Sequence, residues 1–87
     1  MNNRRSNIEV IADILRLGQA GKTEIMYSAN MSYRQLQKYL EFLVQHGFVD
    51  VMEVGNPITV YKVNERGLRL LNSIENLLEI LPLRDEI

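Results

Sequence analysis

The chain has 87 residues, 46% hydrophobic and 24% charged, with a formal net charge of −1, one histidine and no cysteine. These figures describe one soluble globular domain and exclude disulfides, thiolate metal sites and a histidine-built metal centre. No apolar run approaches the roughly 18 residues that cross a bilayer, and MNNRRSN has no apolar signal core behind its arginines, so a cytoplasmic protein without a membrane role is expected.

Residues 1–6 read as a flexible arm carrying Arg4 and Arg5. Ser6 and Glu9 form a capping-box pattern, and Ile8, Ile11, Ile14, Leu15 and Gly18 share one side of the helix it starts. That helix is predicted over about 7–20, with Gly21 as its stop; Val10 and Leu17 lie on an adjoining side and should touch a further element besides the core. Thr23 is placed to cap a short helix over 24–29, with Ile25, Met26 and Ala29 inward. Asn30 tolerates the left-handed backbone that closes such a helix, and Ser32 with Gln35 opens a second capping box two residues on. The third helix is predicted over 33–46, with Leu36, Tyr39, Leu40 and Leu43 inward and Arg34, Gln37, Lys38, Glu41 and Gln45 outward.

Gly47 stops that helix, and FVDVMEV and ITVYKV follow as two β-rich runs around Gly55, Asn56 and Pro57, the pattern of a hairpin. Asn64 caps a last helix to about Leu81, before Pro82 and a tail at 82–87. Leu70, Leu71, Ile74, Leu77, Leu78 and Leu81 fall within roughly 120° of that helix, and the steps 70, 74, 77, 81 make a short coiled-coil seam. The stripe either folds back on Val10 and Leu17 or pairs with a second chain. Six large apolar residues exceed what one flank of the first helix covers, which favours a twofold dimer.

A short helix, a tight turn and a longer helix with a cationic outer face is an arrangement that places the second helix in the DNA major groove. Arg34 and Lys38 are then candidates for phosphates or a guanine edge, and Gln37 for bidentate pairing with adenine. Ser32 is primarily a cap; with Tyr33 it lies where free N–H groups favour a phosphate, and Tyr33, at the border between core and polar face, is a candidate for a phosphate contact through its hydroxyl. Thr59 and Lys62 on the second strand are further phosphate candidates, and Arg4 and Arg5 would add nonspecific affinity. The hairpin tip has no Arg or Lys and Glu53 lies near it, so strong insertion of the wing is not expected. The net charge conceals an asymmetry: six Lys or Arg against four acids in residues 1–46, a balance of +2, and four against seven in 47–87, a balance of −3.

The order of three helices, a hairpin and a last helix predicts a mostly α, α+β winged helix-turn-helix: a domain over 7–63 and a dimerisation helix over 64–81. IADIL, IMYSANMSYRQLQKYLEFLVQHGFV and YKVNERGLRLL together resemble the small archaeal winged-helix proteins of the Sulfolobus "ten-a" type, over about residues 6–81. That resemblance implies a dimeric DNA-binding protein whose last helices pair as an antiparallel coiled coil. The chain departs from it in being acidic overall and in having Pro82 shorten the last helix. The implied partners are double-stranded DNA and a second copy of the chain. No cofactor or small-molecule ligand is indicated, and the residue sets needed for acid-base, nucleophilic or metal catalysis are missing. A transcriptional regulator is the leading expectation; a protein-interaction module on the same scaffold and a nonspecific architectural protein are the alternatives.

Overall fold

The computed structural model describes residues 5–55 and 58–81. In chain order it holds α1 (Asn7–Arg16), β1 (Gln19–Ala20), α2 (Lys22–Ser28), α3 (Tyr33–Gln45), β2 (Val49–Glu53), β3 (Thr59–Val63) and α4 (Glu65–Ile80). The strands form an antiparallel sheet in the order β1-β3-β2, so the expected winged helix-turn-helix architecture is present with one strand more than the hairpin.

α1 opens on the expected capping box: Ser6 Oγ accepts from the Glu9 amide at 3.1 Å and Glu9 Oε1 accepts from the Ser6 amide at 2.9 Å. It stops earlier than expected. Gly18, read as part of the helix, instead has φ +79, the left-handed conformation in which helices are released. Its carbonyl accepts the Val63 amide at 2.7 Å, and Gln19 and Ala20 pair with Lys62 and Tyr61 as β1. Gly21 therefore does not end α1; it is the N-cap position of α2, without a side-chain bond. Thr23, expected as that cap, lies inside the first turn of α2.

Asn30 takes the left-handed backbone at φ +55. Ser32 and Gln35 close the second capping box, which fixes where α3 begins. Gly47, at φ +77, releases its far end. β2 and β3 then pair from Val49 opposite Val63 to Glu53 opposite Thr59. Asn64 caps α4 by accepting from the Gly67 amide at 2.9 Å, and its amide nitrogen donates to the Gly47 carbonyl, tying the start of α4 to the end of α3.

The core joins Val10, Ile14 and Leu15 of α1 to Ile25, Leu36, Leu40, Leu43 and Val49. Leu15, Leu36 and Leu43 are fully buried, each contributing about 1.5–3 kcal/mol by removal from water. Tyr39, expected inward, is half-buried and donates its hydroxyl proton to Asn7 Oδ1 at 2.6 Å. α4 crosses back onto α1, where Arg16 Nε meets Glu75 at 3.0 Å.

Candidate nucleic-acid interface

The cations of the described residues fall into two groups. Arg5 is bound to Asp13, Arg16 to Asp13 and Glu75, and Arg69 to Glu65. Arg66 donates to the His46 carbonyl and lies over the Phe48 ring. No such ion pair involves Lys22, Arg34, Lys38 or Lys62. Among the described residues no bound carboxylate neutralises their positive charge.

Three of the four sit on or beside α3. With Leu36, Leu40 and Leu43 buried, a turn of about 100° per residue orders the outer surface as Tyr33, Gln37, Glu41, Arg34, Gln45 and Lys38, spanning roughly 140°. Lys38 borders a cleft of about 530 Å³ against α1, lined also by Asn7, Ile11, Gln35, Tyr39 and Phe42. At the opposite flank, Lys22 Nζ donates to the Tyr33 hydroxyl at 3.3 Å and lies 5.3 Å from the centre of its ring. That hydrogen bond holds the ammonium pKa above the ordinary 10.5 of a lysine, against the small opposing effect of burial; the Tyr61 hydroxyl assists. Lys22 was not among the residues predicted from sequence. The contact links positions 11 residues apart, through the packing of two helices, so no local motif announces it.

Other expected residues are placed differently. Ser32 is occupied by its capping box. Gln37 is half-buried, and its Oε1 is buried without a hydrogen-bond partner among the described residues. Bidentate adenine pairing needs both amide atoms outward, so the side chain is not set for it in this conformation. Thr59 and Lys62 are three positions apart on one strand and point to opposite faces of the sheet; Lys62 has Gln19 and Asp50 opposite it. The sheet therefore does not present them together. Arg5 is not a free arm: its guanidinium also donates to the Ala29 carbonyl at the end of α2. Arg4, Asn56 and Pro57 lie outside the described residues. At the described base of the wing Val54 and Ile58 are exposed, as is Glu53.

The leucine stripe of α4 divides into two halves. Leu70 and Leu71 pack on the chain's own core, and Ile74 is 6% exposed. Val10, grouped with the stripe as a dimer residue, is likewise buried within the single chain at 7%, and Leu17 packs on the same core. Leu77, Leu81 and Ile80 are open, Ile80 at 76%. An apolar cleft of about 350 Å³ continues from Leu77 along Ile8, Ile11, Phe42, Phe48 and Leu70. Leu68 and Ile80 are exposed apolar residues that the seam pattern omitted.

No helix among the described residues is long and apolar enough to cross a membrane, and they contain no group of three or more His, Asp or Glu placed to hold a metal ion. A family model described as winged helix-turn-helix matches residues 4–81. An uncharacterized protein of Methanocaldococcus jannaschii, MJ0287, is 36% identical over 81 residues, which are 90% of this chain and 78% of that protein. Sso10a-2, described as a DNA-binding protein from Sulfolobus solfataricus, superposes with a TM-score of 0.81 at 33% identity, over 87% of this chain and 81% of its own. A mutant MarR from E. coli in complex with operator DNA shares the fold at a TM-score of 0.68 and 18% identity, over 82% of this chain and 52% of that one.

Proposed function

Because the chain belongs to the winged helix-turn-helix family, we propose that it is a dimeric DNA-binding transcriptional regulator that docks α3 in the major groove. The observation that carries this reading is the set of cations on and beside α3 that form no ion pair among the described residues, with Arg34 and Lys38 on its outer face. In a chain of net charge −1, binding must come from such a local face. The likeness to Sso10a-2 supports duplex DNA as the partner. Few available cations favour local docking at a site over coating of DNA by bulk charge. The exposed end of α4, with Leu77, Ile80 and Leu81, supports a twofold dimer that sets two recognition helices on one duplex.

Titration of labelled duplex DNA at about 50 and 200 mM salt tests the docking. Arg34→Ala with Lys38→Ala is expected to reduce the slope of log affinity against log salt by about 2 per protomer, about 4 for the dimer. Absence of binding at the lower salt, or a double variant with wild-type slope, refutes it.

A further inference from the structure

We infer that Lys22 and Tyr33 form a phosphodiester-binding pair that seats one backbone phosphate of duplex DNA at the flank of α3. The inference rests on the docking proposed above and adds Lys22, which neither the sequence motif nor the outer-face residues include, as the partner of Tyr33. Its basis is the donor inventory at this point. A lysine ammonium has three N–H donors, and here one is given to the Tyr33 hydroxyl at 3.3 Å. Two remain. Because the Tyr33 oxygen accepts that bond, its own proton is directed elsewhere. The pair thus offers two N–H donors and one O–H donor, and no carboxylate among the described residues forms an ion pair with Lys22 to take them.

Surface lysines are ordinarily mobile, and ordering one on binding an anion carries an entropic cost. In this protein a neutral group from the next helix already holds the ammonium: the Tyr33 hydroxyl accepts from it, with the ring centre 5.3 Å away. A neutral partner holds the cation without cancelling its charge. Lys22 of α2 and Tyr33 of α3 therefore form one charged donor set at the start of α3. A phosphate seated there fixes the register of the helix, while the more central side chains face the bases.

The test is the same salt-dependent titration on the full chain, with Lys22→Gln, Lys22→Arg and Tyr33→Phe and several duplexes of different sequence. Lys22→Gln is expected to lower the salt slope by about 0.9 per protomer, about 1.8 for the dimer, and to weaken all duplexes by a similar factor. Lys22→Arg restores the slope. Tyr33→Phe keeps the slope and weakens binding about 3- to 10-fold, as loss of one hydrogen bond does. Both positions are on the surface, and a thermal melt of each of the three variants confirms folding. An unchanged slope in Lys22→Gln, with a wild type that binds and an Arg34, Lys38 double variant that responds, overturns the pair and leaves the docking intact. A Lys22→Gln protein whose preference among duplexes changes also overturns it, by making Lys22 a base contact. A wild type that does not bind DNA sinks the docking itself.

Discussion

Gly67 passes so close to Phe48 that a Cβ on it would lie 2.3 Å from the Phe48 carbonyl oxygen and 2.8 Å from Cγ1 of Val63. That oxygen already accepts the Asn64 amide, which holds it in place. The contact therefore sets how α4 leaves the sheet. Gly67→Ala gains up to about 1 kcal/mol of helix propensity and incurs about 1–3 kcal/mol of overpacking. The expected result is a net loss, seen as a lower urea midpoint with an unchanged slope. A variant at least as stable as wild type would contradict this backbone contact.

What was legible in the sequence is what is settled locally. Ser6 with Glu9, Ser32 with Gln35, and Asn64 satisfy backbone donors within three residues, so their helix starts follow from the residues alone. Gly18 and Gly21 were indistinguishable as stops: the choice is made by β3, some forty positions away, which supplies ladder partners for Gln19 and Ala20. Lys22 and Tyr33 meet only once α2 and α3 have packed. The period of the leucine stripe was correct, but which half serves the chain's own core depends on where α1 crosses, and no period encodes that. The separation of Thr59 from Lys62 follows from strand parity, since residues three apart on a strand face opposite sides of the sheet.

The orphaned oxygen of Gln37 marks a position where fold and function conflict. An unsatisfied buried polar atom costs about 1–3 kcal/mol, and methionine fills a similar shape without it. Gln37→Met is expected to raise stability by up to about 1 kcal/mol in urea unfolding. Under the docking proposal it also narrows the difference in affinity between duplexes. A lower unfolding midpoint would show that the oxygen is not orphaned.

Arg5 joins the start of the chain to two helices, through Asp13 and the Ala29 carbonyl, with its side chain 20% exposed. Its removal leaves Asp13 still paired to Arg16 at 2.8 Å, so no bare carboxylate results. Arg5→Ala should thus lower stability by about 1–2 kcal/mol, toward the lower end for charged hydrogen bonds. The salt slope of DNA binding should not change. The opposite pair of results, wild-type stability and a slope smaller by about 0.9 per protomer, about 1.8 for the dimer, would make it a phosphate-binding arm.

Ile80 and Ile74 separate dimerisation from folding, because they lie on one helix with opposite exposures of 76% and 6%. Ile74→Asp places a charge in the chain's own interior and is expected to unfold the protein, so it cannot report on association. Ile80→Asp changes a residue that a single chain leaves in water. Sedimentation should show a dimer for wild type at micromolar concentration and a folded monomer for Ile80→Asp. Stability should depend on protein concentration in wild type and not in the variant. The folded monomer should also lose DNA affinity by a factor on the order of 10² or more, because two linked recognition helices bind one duplex with a high effective concentration and separate ones do not. A wild type that sediments as a monomer would reject the dimer. A variant that becomes monomeric without losing affinity would show that one copy of α3 suffices.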